Sequence, residues 1–194
     1  MKKIQITSVC AIVCLSLTIG APLGGSKWSK KAPSFLLSLY KQLTNNKVSL
    51  SMLGASRIHG IFNTVKQRQS TSNEKVYDLT CSINGTNLSL YNVFLVNLHL
   101  TVMATRNEDK SNCNLALHDI FSGKKITSKQ ISCSKTTDLV LRVTSVVKKW
   151  IASPSTNAGV RVSITPTYSD AVPIKLPHID TRSNAEPPYF IIYI

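Results

Sequence analysis

The chain has 194 residues, and its 23 lysines and arginines against nine aspartates and glutamates give a formal net charge of +14. Lys2 and Lys3 precede an apolar run, "VCAIVCLSLTIGA", too short to span a bilayer and followed by small residues, which is the pattern of a secretory signal peptide over residues 1–22. The remainder, about 170 residues, suits one domain with a sizeable core and contains no apolar run approaching the roughly 18 residues of a membrane span.

The positive charge is scattered. The dibasic pairs Lys30-Lys31, Lys124-Lys125 and Lys148-Lys149 lie far apart, and no basic run is interleaved with aromatics, which argues against a nucleic-acid-binding tract. Only folding gathers such pairs into a surface for heparan sulfate or another acidic glycan of the extracellular matrix. Cys10 and Cys14 leave with the signal, so Cys81, Cys113 and Cys133 enter an oxidising compartment, where an odd number implies one pair and one leftover thiol. No C-x-x-C spacing remains, and His59, His99, His118 and His178 stand apart, so neither a zinc site nor another metal or cofactor is expected. "NGTNLS" carries glycosylation sequons at Asn84 and Asn87, which makes this stretch a surface turn of a secreted glycoprotein.

Residues 33–62 open with "KKAPSFLLSLYKQL". Pro33 and Ser34 are helix-start residues, and Leu36, Leu39, Tyr40 and Leu43 follow on one side at helical spacing, with Phe35 and Leu37 at the edge. A helix of about ten residues does not hold alone in water, so it must dock on a surface. "TNNKVSLSMLGAS" reads as an irregular connection.

From residue 63 to residue 194 the period becomes two. "NTVKQRQ" is a short strand, and "KVYDLTCSI" places Tyr77, Leu79, Cys81 and Ile83 on one face. "YNVFLVNLHLTVMA" directs Phe94, Val96, Leu98, Leu100, Val102 and Ala104 inward and Asn97, His99 and Thr101 outward, and the sequon turn joins these two strands as antiparallel neighbours. Leu115 and Leu117, then Leu139, Leu141 and Val143, then Val160, Val162 and Ile164 repeat the pattern, and "YFIIYI" is an unbroken apolar strand that needs neighbours on both faces. Between the last two alternating strands lies a helix at 144–152: Thr144 as its N-cap, Val146, Val147, Trp150 and Ile151 as its apolar face, Pro154 as its stop, and Gly159 in the turn that follows. Trp150 is expected to plug one end of the core. The whole is mainly β, an antiparallel β-sandwich with an N-terminal amphipathic helix and one short internal helix.

No catalytic motif is present: no phosphate loop, no G-x-S-x-G, no H-E-x-x-H. Glu108-Asp109 is the only adjacent pair of carboxylates, and between Arg106, Asn107 and Lys110 it reads as a solvated turn lacking the differing environments that separate an acid from a base. The expectation is a binding protein and not an enzyme.

Taken in order, these segments resemble the propeptide of transforming growth factor-β superfamily precursors, of the bone morphogenetic protein and growth/differentiation factor type. "PSFLLSLYKQL" is similar to the family's first propeptide helix and "NTVKQ" to the strand that opens its arm domain. "VYDLTCSI" and "FLVNLHLTVMA" resemble the next strand pair, "LVLRVTSVVKKWIASPSTNAGVRVSI" a strand, a D-V-T-x-x-V-x-x-W helix and an alternating strand, and "YFIIYI" the closing strand. The family's precursors continue through a basic cleavage site into a cystine-knot growth factor, and neither lies within these 194 residues. What the resemblance implies is a propeptide, truncated or acting without a ligand of its own, that assists folding of a growth-factor dimer and stays bound, in some members conferring latency. Leu36, Leu39, Tyr40 and Leu43 would lie in an apolar groove of that dimer. Cys113 and Cys133 bracket a loop that a disulfide can close, leaving Cys81 buried or as the link of a homodimer, although all three pairings remain open from sequence.

Overall fold

The structure, a computed structural model, describes residues 34–45, 51–68, 70–71, 73–83, 88–104, 112–167, 176–180 and 186–194. The fold is mainly β, built from antiparallel sheets. Helix α1 spans Ser34–Thr44, and strands β1 (Ile58–Phe62), β2 (Thr64–Gln67), β3 (Lys75–Thr80) and β4 (Leu95–Met103) follow. Next come β5 (Asn112–Asp119), β6 (Lys125–Ser132), β7 (Thr137–Arg142), helix α2 (Thr144–Ala152), β8 (Val160–Pro166), β9 (His178–Ile179) and β10 (Tyr189–Tyr193).

One sheet, A, has the order β1-β10-β4-β7, with β9 pairing the far end of β4 where β10 stops; the other, B, has the order β2-β3-β8-β5-β6. Alternation decides which face each strand buries. In β4, Val96, Leu98, Leu100 and Val102 turn inward, and in β8 Val160, Val162 and Ile164 do the same. These side chains, with Leu115 and Leu117 of β5, Leu139 and Leu141 of β7 and Phe190 of β10, form one core drawn from both sheets. Burying a Leu, Ile or Val side chain is worth about 1.5–3 kcal/mol, so this shared layer is the main source of stability.

Three strands carried no clear period. β1 is buried along almost its whole length because both its faces are covered, which hides any alternation. β6 is a polar edge strand in which Ile131 is the buried residue, and β9 is only two residues long. The expected pairing across the sequon turn is corrected, because β3 lies between β2 and β8 in sheet B and β4 between β10 and β7 in sheet A. Two inward assignments are corrected as well. β4 begins at Leu95, so Phe94 precedes the strand, donates its N–H to the Tyr193 carbonyl at 3.1 Å and stays 40% exposed; Ala104, just past the strand, is only partly buried. The expected Thr144 cap is also corrected. Thr144 is the first helical residue and Val143 occupies the cap position without a side-chain hydrogen bond. The Thr144 hydroxyl is drawn instead to β4, accepting the Val96 N–H at 2.9 Å and donating to the Val96 carbonyl at 3.4 Å.

Candidate functional site

The expected ligand-binding helix is α1, and it lies on the outer face of sheet A. Leu39 is 8% exposed and forms a second apolar cluster with Ala55, Ile58, Tyr189, Ile191 and Tyr193, against which Phe35 and Leu43 also pack. The Phe35 ring sits 5.1 Å from the His99 imidazole, which in turn stacks on Tyr189 at 4.9 Å. His99 is thus on the outward side of β4, as its position in the alternation requires, yet covered. Burial lowers its pKa, partly opposed by the negative charge of Glu186, and its Nε2 has no hydrogen-bond partner among the described residues. Of the four helix residues singled out, Leu39 and Leu43 are therefore engaged with the chain's own sheet; the side chains of Leu36 and Tyr40 lie outside what is described. Leu37 is 46% exposed.

The unit from β7 through α2 to β8 carries the other two residues of interest. Val146, Val147 and Trp150 are the buried positions of α2, at the spacing of one helix face. Trp150 is fully buried and meets Phe190 edge-on at 6.1 Å, while its indole N–H finds no acceptor among the described residues. The helix stops before Pro154, and the chain turns through Gly159 at φ +93°, a conformation that favours glycine. A Cβ there would fall 2.3 Å from the Leu79 carbonyl oxygen, so β3 also requires the missing side chain. Asn157 secures the same corner, its Nδ2 donating to the Cys81 carbonyl at 3.0 Å.

Of the three pairings open to the cysteines, the structure forms Cys113–Cys133, with Cα atoms 5.4 Å apart and a sequence separation of 20. It ties the open end of the β5–β6 hairpin and is worth about 3 kcal/mol for a loop of this size. Cys81 is the free cysteine among the described residues; it packs against the shared core, and burial pushes its thiol up to about 12, which makes it inert as a nucleophile near neutral pH.

Sequence reading missed the ion pairs that brace sheet B. Asp78 accepts from Arg161 Nε at 2.8 Å and Nη2 at 3.3 Å and also pairs with Arg68 Nε. Burial raises this carboxyl, but hydrogen bonds from Arg161 and Arg68 outweigh it and hold Asp78 below its ordinary value. Asp119 is arranged likewise: burial raises it, and Ser122, Lys149 and the Phe121 N–H together bring it down. The only signal for either was an acidic residue in a strand, Asp78 within β3 and Asp119 at the end of β5.

Among the described residues no group of three or more His, Cys, Asp and Glu side chains is placed to hold a metal ion, and no helix is long and apolar enough to cross a membrane. The signal segment at 1–22, the sequons at Asn84 and Asn87 and the carboxylates Glu108 and Asp109 lie outside the described residues. No protein-family model matches the chain, and neither does any curated protein.

Proposed function

We propose that this chain is a secreted, glycosylated propeptide-type β-sandwich that assists folding of a transforming growth factor-β-family dimer and stays bound to it without a covalent link. It acts by binding and not by catalysis. The observation that carries this reading is the path from β7 to β8. The stretch with the strongest resemblance is one continuous unit: it leaves the edge strand of sheet A, passes Trp150 into the shared core, and enters the centre of sheet B between β3 and β5. The other resembling segments each coincide with a discrete element, "NTVKQ" with β2, "VYDLT" with β3 and "YFIIY" with β10.

The binding step follows from how α1 is held. An 11-residue helix is marginal alone, and its docking on sheet A rests on few side chains, with Leu39 contributing about 2 kcal/mol. A groove on a growth-factor dimer that accepts Leu36, Leu39, Tyr40 and Leu43 together draws the helix off its sheet for a modest cost. Secretion of the chain together with a bone morphogenetic protein-type dimer tests this. The chain is expected to raise the yield of disulfide-linked dimer and to co-elute with it on size exclusion, and Leu36→Glu with Tyr40→Glu is expected to abolish both effects. Unchanged dimer yield and separate elution of the wild-type chain would sink the proposal.

A further inference from the structure

Folding brings together two of the dibasic pairs that stand apart in sequence. Lys124 and Lys125 end the β5–β6 turn, where the Lys124 carbonyl accepts the Asp119 N–H at 2.9 Å and Lys125 pairs with His118. Lys148 and Lys149 sit on α2, which leans on the same turn: Lys149 Nζ is 3.1 Å from Asp119 Oδ2 and 5.1 Å from the centre of the Phe121 ring.

Beside this contact lies an open cleft of about 450 Å³, lined by Ile126 and Thr127 of β6, Arg142 at the end of β7, and Thr144, Ser145 and Lys148 of α2. Its lining holds two cations, three hydroxyls and no carboxylate. Asp119, the nearby acid, is already engaged by Lys149, Ser122 and the Phe121 N–H. Arg142 and Lys148 form no ion pair among the described residues. The first turn of α2 contains no acidic residue to compensate them. β6 and β7 are the edge strands of their sheets, so the cleft is open along its length rather than closed into a pocket.

Lysines on an edge strand also serve to block pairing with another chain, which accounts for Lys125 and Lys129. It does not account for Arg142 at a strand end or Lys148 on a helix, both turned into one cleft. We propose that this cleft binds a sulfated glycan chain, with Arg142 and Lys148 holding one sulfate, Thr127 and Ser145 contacting the sugar, and Lys124 and Lys125 meeting the next charged group along. A guanidinium fork matches the oxygen spacing of such an anion, and an ammonium adds a point charge. No aromatic ring lines the cleft, which leaves nothing to stack the bases of a nucleic acid. This site is separate from α1 and stands whether or not a growth factor binds there.

The test uses the full chain, a heparin oligosaccharide and a single-stranded DNA of equal charge. Arg142→Ala with Lys148→Ala is compared with Arg57→Ala plus Lys66→Ala, which removes the same charge elsewhere. Loss of the cleft cations is expected to weaken oligosaccharide binding about tenfold or more and to flatten its salt dependence, with less than about a twofold change in the control pair. Ser145→Glu, which places a carboxylate in the cleft without removing a cation, is expected to weaken binding comparably, and unchanged near-ultraviolet circular dichroism shows that each variant is folded. Equal losses in both charge-removed pairs, no loss in the cleft variant, or tighter binding of the DNA than of the oligosaccharide would each overturn the assignment.

Discussion

The outer faces of the two sheets are built on different physical terms. Sheet A presents Tyr189, Ile191 and Tyr193 outward and buries them, with His99 partly covered beside them, under α1 and the segment that precedes β1, so β10 is buried at every position. Sheet B presents Asp78, Arg161 and Thr165 outward and leaves them to salt bridges and solvent, so β8 buries its inward residues and keeps Arg161 and Thr165 partly exposed. Both sheets share one core, and among the described residues a second apolar cluster lies behind sheet A alone. The difference teaches that one outer face of the same antiparallel framework is held by apolar packing and the other by charge.

The sharpest way to break the comparison is to remove one side chain from each outer face. Ile191 is fully buried in the outer cluster of sheet A, and Ile191→Ala is expected to cost about 3–4 kcal/mol, within the range for large-to-small changes at such sites. Thr165, outward on sheet B and partly exposed, is expected to cost less than about 0.5 kcal/mol as Thr165→Ala. Urea unfolding of both variants, compared at equal slope, measures this directly. Equal costs would mean that α1 does not cover sheet A in solution.

The same difference explains which strands were legible. Where one face is fully buried in the core and the other is left at least partly to water, hydrophobicity alternates, so β4, β7 and β8 could be read residue by residue. β10 could be read because five consecutive apolar residues demand cover on both faces. β1 demands the same but spends two of its five positions on His59 and Gly60, both buried, so it looked like part of a connection. α1 was legible as an amphipathic helix in need of a surface, yet nothing in its own residues says that the surface is sheet A, because its partners lie in β1, β4 and β10. The cleft at β6, β7 and α2 was illegible for a related reason: its lining runs from Ile126 to Lys148 and converges only through the hairpin and helix geometry.

A smaller effect separates the faces by pH. Asp78 is held below its ordinary value of 3.8 in the folded chain, so its pairing with Arg161 and Arg68 is fully present above that value and is lost as pH falls through the folded value. Both arginines are substantially exposed, which limits what each bridge contributes. Asp78→Asn is expected to cost about 1–2 kcal/mol at neutral pH, through the loss of charge on hydrogen bonds to a buried group. It should also flatten the stability profile below pH 3.8, and acid titration followed by circular dichroism for both proteins tests the pair of expectations.

His99 gives the smallest effect and the most selective one. Its imidazole is desolvated between Phe35 and Tyr189, which lowers its pKa from the ordinary 6.5 despite the opposing pull of Glu186. The unfolded chain therefore binds this proton more readily than the folded one, so stability is complete above 6.5 and declines as pH falls toward the folded value. Because His99 touches α1 through Phe35, the first consequence of protonation falls on the helix and not on the shared core. Protection of the α1 amides, with the intrinsic slowing of exchange toward acid divided out, should fall between pH 7 and pH 5 while that of β8 stays unchanged, and His99→Gln should remove that response. Acid thus loosens the outer layer of sheet A at a pH where the Asp78 bridges of sheet B are still intact. A parallel loss of protection in α1 and β8 would mean that the two outer faces are not independent, and the contrast between them would fail.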